Sequence, residues 1–301
     1  MLAMNHVLAM LCIAVLHTLM TSAKSGETLN DAEKAVQARQ DAPEPFDQQE
    51  YQVPRDKFSP PIQRIVLLLT GSFNPVTIAH LRMLELARDY YHLRSIQVLE
   101  GIISPVSDSY GKAGLVKVDH RIEMLKASIK NDKWLRVDTW EAEQTSWTRT
   151  KLVLDYHHEI IKQKYGEKTG IRYLSGADVV RTMLNAKAWL PQDIDDIMTK
   201  YGVACITRLT APESGQGGAT VPDVKEGMPD LWKKHTEVIQ DWVVNDISST
   251  NIRNKLKKGC SVKYIVPDGA IDIIRHHGLY NSNDSVCLAQ WPQEEEVKTA
   301  N

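Results

Sequence analysis

The feature that most constrains the fold of this chain is an uninterrupted apolar run, Ile65–Leu69, that ends in a glycine turn. Five consecutive apolar residues are typical of a strand that is covered on both faces, as in a parallel sheet. The loop after this run contains Gly71, Asn74 and Pro75, and apolar residues then recur at helical spacing over 81–87. A buried strand, a turn and a helix in this order predict the start of a βαβ unit.

Strand-like and helix-like segments alternate along the following two hundred residues or so. We predict strands at 95–103, 134–137, 171–174, 203–206 and 238–244. We predict helices at 120–129 with Asp119 as the N-cap, at 152–165, from 177 onward, at 194–201 and from 248 onward. This alternation predicts an α/β fold with a doubly wound parallel sheet of the Rossmann type. Ligands bind such sheets beyond the carboxyl ends of the strands, so we expect the chemistry in the loops after Leu69, Ile103 and Leu174.

The composition limits the class of partner. The chain has 301 residues, a formal net charge of −2 and a pI near 6.6. Binding to a phosphate backbone needs a strong excess of basic residues, so no nucleic-acid partner is expected. Four cysteines are present, none in a CxxC pair, and no Cys/His set has zinc-finger spacing. We therefore expect separate reduced thiols and predict no metal bound by protein ligands.

Three regions are distinguished by texture: an apolar N-terminal segment with a polar arm at 1–60, the domain of alternating strands and helices at 61–281, and a polar tail at 282–301. Residues 7–16 are almost entirely apolar, but no Lys or Arg precedes them, and the run is short for a spanning helix, which needs about 20 residues. A signal peptide, a membrane-associated anchor and a non-functional extension all remain open. Residues 210–229 are rich in Gly and Pro and predict a surface loop.

The first candidate for chemistry is the turn and helix start at 71–80. Gly71 lets the backbone approach a ligand closely, and the helix start favours a bound phosphate. Thr77 and His80 lie three residues apart, so both can face one anion. The alternative is a surface turn with a capping threonine and a solvated histidine, and spacing alone does not decide between the two.

Four further segments carry residue types that suit nucleotide chemistry, each with an ordinary alternative. Lys112 stands between glycines in the loop after the second strand, where a lone lysine is usually solvated. Trp140 and Trp147 lie within one stretch of eight residues, and two tryptophans so close together usually belong to the hydrophobic core. The tripeptide 176–178, Gly-Ala-Asp, follows a buried strand but is a weak signal alone. Residues 245–253 predict a serine-capped helix start that could bind an anion or only expose one arginine.

Taken in order, these segments resemble the eukaryotic nicotinamide/nicotinic acid mononucleotide adenylyltransferases of the nucleotidyltransferase superfamily. Residues 71–80 are similar to the GxFxPxTxxH signature, with Ala79 in place of a glycine as is usual in that branch, and 80–90 also resembles it. Residues 245–253 are similar to the ISSTxIR motif, and 176–178 to a GAD segment in which Ser175 stands where Cys is common. The Lys112 loop lacks the additional lysines of the family. The resemblance covers about 65–280 and implies the Rossmann-like nucleotidyltransferase fold.

The resemblance also implies a role for each matching residue. His80 would contact the α-phosphate of ATP, and Lys112 and Arg253 the β and γ phosphates, so these three are the expected catalytic residues. The expected ATP-binding residues are Gly71, Ser72, Phe73, Thr77, His80, Lys112, Asn245, Ser249, Thr250, Asn251, Ile252 and Arg253. The expected mononucleotide-binding and NAD-binding residues are Gly71, Ser72, Trp147, Thr150, Gly176, Asp178, Trp189 and Arg208.

The reaction implied is transfer of AMP from ATP to nicotinamide mononucleotide, and to nicotinate mononucleotide as well, with Mg²⁺ bridging the triphosphate. Two alternatives stay open: a related nucleotidyltransferase with another phosphate acceptor, and a non-catalytic nucleotide-binding or chaperone-like protein. A homo-oligomer is possible on this reading. An intracellular location is expected, with membrane association through the apolar N-terminal segment left open.

Overall fold

A computed structural model describes residues 63–209 and 223–281. Six strands form one sheet in the order β3-β2-β1-β4-β5-β6, and every neighbouring pair is parallel. The strands are β1 Gln63–Gly71, β2 Ile96–Pro105, β3 Leu135–Val137, β4 Thr169–Gly176, β5 Val203–Leu209 and β6 Thr236–Val244. This order is that of a doubly wound sheet, and its connections reverse direction between β1 and β4.

Helices connect the strands and cover the sheet on both faces. They are α1 Ile78–His92, α2 Val118–Ser128, α3 Thr150–Tyr165, α4 Ala177–Thr182, α5 Pro191–Asp196, α6 Asp230–His235, α7 Ser249–Lys257 and α8 Asp268–His276. Three shorter turns complete the described chain: a π-turn at Ile197–Tyr201 and 3₁₀ turns at Asp108–Tyr110 and Leu279–Asn281.

The central strand β1 explains why its apolar run is uninterrupted. Ile65, Leu67 and Leu69 pack into one core with α1, α2, α7 and α8. Val66 and Leu68 point to the opposite face, where α3, α4 and α5 form a second core. Successive side chains of a strand alternate between faces, so a strand covered on both sides must be apolar at every position.

Most of the predicted elements are confirmed, and the differences lie at their ends. Helix α2 begins at Val118, so Asp119 is already helical and Lys117 occupies the N-cap position; the prediction of Asp119 as the cap is wrong. Asp119 instead lies in the first turn of α2, where a carboxylate is favoured by the positive end of the helix dipole. The predicted helix 194–201 begins earlier, with Pro191 at its first position, and changes to the π-turn at Ile197.

Several expectations fall outside the described residues. They are the N-terminal segment and arm at 1–60, the greater part of the 210–229 loop and the tail at 282–301. Of the predicted loop, the last seven residues are described and contain a turn. Among the described residues, no helix is long and apolar enough to cross a membrane. Cys205 is buried and Cys260 is exposed, and both are free thiols.

Candidate active site

A cavity of about 240 Å³ opens at the carboxyl edge of the sheet, where β1 and β4 lie side by side. This is the point at which the strand order reverses, and ligands bind doubly wound sheets at such points. The cavity is lined by the end of β1 and the start of α1, and by the ends of β4, β5 and β6. Its lining residues are Leu69, Thr70, Gly71, Ser72, Phe73, Thr77, Ala79, His80, Met83, Leu86, Ser175, Gly176, Asp178, Val179, Ile206, Arg208, Asp241, Asn245 and Ile247.

His80 is held in one orientation at the start of α1. The backbone N–H of Thr77 donates to Nδ1 of His80 at 3.0 Å, and the Thr77 hydroxyl lies 2.9 Å from the same nitrogen. Phe73 packs edge-on against the imidazole, with ring centroids 5.3 Å apart. Because a backbone N–H can only donate, Nδ1 must be the acceptor, and the ring proton of neutral His80 sits on Nε2. His80 thus presents a fixed N–H donor.

The charge state of His80 follows from its surroundings. Burial, and then the positive charge of Arg208, lower the pKa of His80 to about 4. A cation beside a half-buried imidazole disfavours a second positive charge. His80 is therefore neutral at physiological pH and acts as a hydrogen-bond donor rather than as a cation.

Asn74 is fully buried and ties three segments together beside the cavity. Its Nδ2 donates to the carbonyl of Gly114 at 2.8 Å, and its Oδ1 accepts from the Tyr280 hydroxyl at 2.8 Å and from the backbone N–H of Val116 at 3.3 Å. A side chain with every polar atom engaged is rigid, because each lost bond would leave a buried polar group unpaired. Asn74 therefore fixes the segment after Lys112 and the C-terminal turn against the first motif.

Arg121 is a second organising residue, and no sequence motif predicts its role. Its guanidinium is fully buried and donates to the carbonyls of Ser72, Val106 and Val116 at 3.0, 2.8 and 2.9 Å. It also donates to Asp108 at 3.2 Å. The only sequence signal was its position in α2, directly after the loop, and an arginine on a helix is usually solvated. In the fold, one side chain joins the cavity turn to both ends of the Lys112 loop.

Lys112 itself lies outside the cavity lining and is exposed. Gly111 and Gly114 on either side have φ angles of 68° and 70°, which L side chains rarely adopt. The loop is anchored at its ends, by Asn74 and Arg121, while its exposed lysine is not anchored by a described side-chain contact. An anchored loop with an exposed lysine can bring a cation to the mouth of the cavity.

The start of α7 packs directly on the first motif. The helix begins at Ser249, and Ser248 is its N-cap, with its hydroxyl accepting from the N–H of Asn251 at 3.2 Å. Ser249 donates to the carbonyl of Pro75 at 2.8 Å. Arg253 donates to the carbonyl of Asn74 at 2.8 Å and to the Thr250 hydroxyl at 3.2 Å, so Arg253 and Thr250 lie on one face of the helix.

These bonds occupy some of the expected phosphate donors in the present structure. The backbone N–H of Asn251 donates to the hydroxyl of Ser248, and that of Ile252 donates to the carbonyl of Ser248. The Ile252 side chain is buried. Arg253 has further N–H donors besides the two described. Ser249 and Arg253 contact Pro75 and Asn74 and are not lining residues of the cavity.

Asp178 and Arg208 face each other across the end of the cavity. Arg208 donates to the carbonyl of Ile247 at 2.8 Å, and its guanidinium lies 3.6 Å from the carboxylate of Asp178. The Asp178 side chain is 82% exposed. An exposed ion pair of this kind contributes little to stability, so both groups are available to a ligand.

Asp241 lines the cavity, and the sequence analysis did not single it out. Arg82 grips its carboxylate through two nitrogens, with three contacts of 2.8 to 3.0 Å. Burial is the largest single influence and opposes ionisation, but the hydrogen bonds and charge of Arg82, together with backbone hydrogen bonds from Val243 and Trp242, hold the pKa of Asp241 below its usual value. Beside it, the side-chain oxygen of Asn245 is buried and has no hydrogen-bond partner among the described residues, although its amide nitrogen contacts Asp241.

The tryptophan segments lie outside the lining of this cavity. Trp140 stacks on Tyr156 with centroids 4.0 Å apart, whereas Trp147 is half exposed. Of these two tryptophans, Trp147 is therefore the one available to a ligand. Arg149 binds Asp193 at 2.9 and 3.0 Å and so joins the segment of Trp147 to helix α5. Trp189, which precedes α5, donates its ring N–H to the Thr182 hydroxyl at 2.9 Å.

A layer of hydroxyl groups links the cavity to the tryptophan segment. Tyr173 is buried beneath the cavity, and its hydroxyl lies 3.4 Å from that of Thr70. Burial raises the pKa of the Tyr173 phenol, and the nearby hydroxyls of Thr70, Ser175 and Thr150 oppose this rise. Thr150, expected to bind the mononucleotide, thus lies one side chain away from the cavity wall.

The fold brings nine of the expected binding residues into one cavity. These are Gly71, Ser72, Phe73, Thr77, His80, Gly176, Asp178, Arg208 and Asn245. Ser249 and Arg253 contact the turn that forms its wall, while Lys112, Trp147, Thr150 and Trp189 are not among its lining residues. Because the apolar wall of Leu69, Met83, Leu86, Ile206 and Ile247 adjoins donors and cations, the cavity suits a flat base joined to phosphates.

Comparison with known proteins agrees with this geometry. A family model described as cytidylyltransferase-like matches residues 68–255. The chain is 37% identical over 258 residues to nicotinamide/nicotinic acid mononucleotide adenylyltransferase 1 of Bos taurus, which covers 72% of this chain and 89% of the bovine protein. It is also 37% identical over 228 residues to the enzyme named nicotinamide/nicotinic acid mononucleotide adenylyltransferase 2 of Caenorhabditis elegans, covering 73% of this chain and 99% of that protein.

A solved structure shows the same fold. The nicotinic acid mononucleotide adenylyltransferase of Plasmodium falciparum, crystallised with APC, superposes with a TM-score of 0.53 at 19% sequence identity. The match covers 73% of this chain and 98% of the Plasmodium chain. The six parallel strands are therefore arranged as in a known nucleotidyltransferase.

Proposed function

Because this chain belongs to the nicotinamide/nicotinic acid mononucleotide adenylyltransferase family, we infer that it transfers AMP from ATP to nicotinamide mononucleotide, releasing pyrophosphate and forming NAD. The names of the relatives include both mononucleotides, and we propose that nicotinate mononucleotide is a second acceptor.

The observation that carries this function is the fixed N–H donor of His80 in a cavity that also holds Arg208 and the start of helix α1. Neutral His80 can donate from Nε2 to an oxygen of the α-phosphate, because its Nδ1 is already engaged by Thr77. A donor fixed before the reaction stabilises charge that develops in the transition state without rearrangement. The apolar wall of the cavity suits an adenine base bound beside His80.

The chemical step is an in-line displacement at the α-phosphorus of ATP. An oxygen of the mononucleotide 5′-phosphate forms a bond to this phosphorus, and the bond from phosphorus to the β-phosphate oxygen breaks. Pyrophosphate leaves with the electron pair. The attacking phosphate is already an anion, so no side chain has to remove a proton, and the protein contributes positioning and charge stabilisation.

Lys112 and Arg253 are proposed to bind the β and γ phosphates. Arg253 lies at the start of α7 beside the carbonyl of Asn74, and Lys112 is exposed on the loop that Asn74 and Arg121 anchor. Both cations are thereby tied to the same turn that carries the cavity wall. The common anchor supports simultaneous contact with one triphosphate.

The mononucleotide is proposed to lie toward α4 and the tryptophan segments. Gly176 has open space where a side chain would project, and the exposed carboxylate of Asp178 can accept from ribose hydroxyls. Trp147 and Trp189 can flank the nicotinamide ring, because an aromatic face attracts a positively charged pyridinium. The unpaired oxygen of Asn245 would be satisfied by the amino group of adenine.

Mg²⁺ is proposed to accompany ATP. The donor set fits an ion held by triphosphate oxygens and water, because the buried carboxylate of Asp241 is engaged by Arg82 and Asp178 is the exposed carboxylate of the cavity lining. When bound, the ion would neutralise negative charge on the triphosphate.

The decisive experiment is a coupled assay of NAD formation by the full chain with ATP, Mg²⁺ and nicotinamide mononucleotide. We expect product that depends on Mg²⁺, and a loss of about 10²-fold or more in kcat for His80→Ala, as for removal of one charge-stabilising donor. His276→Ala, an exposed histidine on α8, is the matched control and should retain activity. A normal kcat for His80→Ala would refute the role of His80. Product only with another phosphate acceptor would refute the assigned substrate.

The compartment and the assembly are proposals as well. We propose an intracellular enzyme, because its substrates are the cell's ATP and pyridine mononucleotides, with the apolar segment at 7–16 as the place of any membrane association. Subcellular fractionation of the full chain and of a chain without residues 1–23 tests both parts. Recovery of the full chain from the culture medium would refute the intracellular proposal. Light scattering of the purified full chain would reveal a homo-oligomer.

A further inference from the structure

Helices α2 and α8 form a rigid antiparallel pair on the side of the domain. A Cβ added at Gly269 would lie 2.7 Å from the carbonyl oxygen of Ala127 and 2.9 Å from its carbonyl carbon. Such a close backbone approach is possible only with glycine at this position. The two helices also share a core that includes Met124, Leu125 and Ile271. Side chains at the other end of the pair are thus carried on a frame that does not move freely.

Three side chains converge at that other end. His120 and Glu123 lie three residues apart on α2 and share one face, with His120 Nδ1 4.0 Å from Glu123 Oε2. His277, directly after α8, places its Nε2 3.1 Å from the same carboxylate oxygen. The two imidazole rings are 4.3 Å apart between centroids. One potential ligand atom from each of the three residues lies within 4.8 Å of the others.

We propose that His120, Glu123 and His277 bind one divalent transition-metal ion, with Zn²⁺ as the best fit, at a surface site separate from the nucleotide cavity. Two imidazoles and one carboxylate are ligands that suit Zn²⁺, and they leave a fourth position for water. Hard ions such as Mg²⁺ prefer oxygen ligands and are disfavoured by the two nitrogens. The side chains are 30%, 47% and 30% exposed, so a small rotamer adjustment can bring them to Zn–N distances of about 2.0–2.1 Å.

The location gives the ion a structural consequence. Helix α2 follows the Lys112 loop directly, and the turn after α8 carries Tyr280, whose hydroxyl donates to Asn74. A metal bound between Glu123 and His277 would join these two segments on the protein surface. The bound ion would therefore raise the stability of the domain, because a ligand that binds only the folded state shifts unfolding to higher temperature.

The test uses the full chain, stripped of metal and without nucleotides, so that it is independent of the adenylyltransferase activity. Zn²⁺ alone is titrated by competition with a chromophoric chelator, and Co²⁺ is used as a spectroscopic probe. We expect wild type to bind one equivalent that His120→Gln, Glu123→Gln and His277→Gln each weaken by at least about tenfold, with a matching loss of the Co²⁺ absorption. His276→Gln, an exposed neighbour outside the three ligands, should bind like wild type.

Thermal unfolding supplies a second measurement. Zn²⁺ should raise the Tm of wild type and His276→Gln, and should leave the Tm of the three ligand variants unchanged. The variants alter half-buried or exposed side chains at the surface, so each is expected to fold in the absence of metal. Equal Zn²⁺ affinity in wild type and all three ligand variants would overturn the proposal, as would the absence of Zn²⁺ binding to wild type. An equally large loss in His276→Gln would overturn the assigned ligand set.

Discussion

Single buried polar residues hold the nucleotide site in its shape. Asn74 and Arg121 do not line the cavity, yet between them they fix the turn at Ser72, the segment at Val116 and the C-terminal Tyr280. A buried hydrogen-bonding group is costly to leave unpaired, so each of these contacts constrains the backbone it reaches. The residues that position the site are therefore as specific as those expected to touch the ligand.

Arg121→Lys tests this positioning role. A lysine keeps the positive charge, but it cannot present the planar fork that reaches three carbonyls at once. We expect a folded enzyme that is destabilised by about 2 kcal/mol, because buried carbonyls lose their donors. We expect a rise of about tenfold in the KM for ATP, with a smaller change in kcat. Steady-state kinetics and urea unfolding measure both, and Arg94→Lys, an exposed arginine, should change neither. An unchanged KM for ATP would show that Arg121 is only structural.

Gly176→Ala tests how closely the ligand approaches β4. A Cβ at this position would meet no protein atom within 4 Å, and the φ of −81° accepts alanine. The free energy of unfolding should therefore change by less than about 0.5 kcal/mol. The KM for nicotinamide mononucleotide should rise by about tenfold or more, because the methyl group occupies ligand space. Gly170→Ala, at the other end of β4, is the control for a tolerated methyl group. A wild-type KM would exclude close contact at Gly176.

At the scale of elements, the packing of α2 against α8 depends on one glycine. An added Cβ at Gly269 would meet backbone atoms of Ala127, which cannot move aside as a flexible side chain could. Helix propensity alone favours Gly→Ala by about 1 kcal/mol, so the two effects have opposite signs. The steric clash should prevail because backbone must separate from backbone.

Gly269→Ala is accordingly expected to lower the free energy of unfolding by about 1–3 kcal/mol, the usual cost of overpacking. Asp272→Ala, an exposed position on the same helix, serves as the control for propensity and should be neutral or slightly stabilising. Chemical denaturation of both variants provides the comparison. A stabilised Gly269→Ala would mean that the helices separate without cost.

At the scale of the whole molecule, buried titratable groups make stability depend on pH in opposite directions. His157 is fully buried, neither ring nitrogen has a hydrogen-bond partner among the described residues, and burial lowers its pKa to about 4. Glu141 is buried with one oxygen accepting from Ser104 at 2.5 Å, and burial raises its pKa to about 7. Each group is held in its neutral form by the folded state.

His157 binds a proton more readily in the unfolded chain, where its pKa is about 6.5, than in the folded protein. The free energy of unfolding therefore falls as pH drops from about 6.5 toward 4. His157→Leu should remove this loss. Between pH 7.5 and pH 5 we expect the variant to lose about 2 kcal/mol less stability than wild type does. Urea unfolding at the two pH values measures the difference, with His276→Gln as an exposed control. The same pH dependence in variant and wild type would contradict the prediction.

The glutamate contribution has the opposite sign. Its neutral form is favoured in the folded state, so stability falls as pH rises from the unfolded value of about 4.5 toward 7. Glu141→Gln keeps an acceptor for Ser104 but cannot ionise, and it should gain stability relative to wild type by about 1.4 kcal/mol per pH unit across this range. Unfolding measured at pH 5, 6 and 7 tests the slope. A constant difference between variant and wild type would show that Glu141 does not titrate in this range.

The layered fold and the position of the site at the strand ends follow from local sequence patterns. The apolar run of β1 required cover on both faces, alternation required a parallel sheet, and the motif order placed His80, Gly176 and Ser248 at the strand ends where they lie. Local patterns carry this information because burial and helix starts are set by neighbouring residues.

Which residues support the site, and which distant segments come into contact, depends on the packing of the whole domain. The neutral state of His80 depends on burial and then on Arg208, and its tautomer depends on Thr77. The role of Arg121 depends on carbonyls far along the chain, and His277 reaches Glu123 across 154 residues. Composition also did not predict that helix α2 begins at Val118, one residue before Asp119. Such contacts join residues that no spacing rule relates, because only the packed backbone brings their atoms within hydrogen-bond distance.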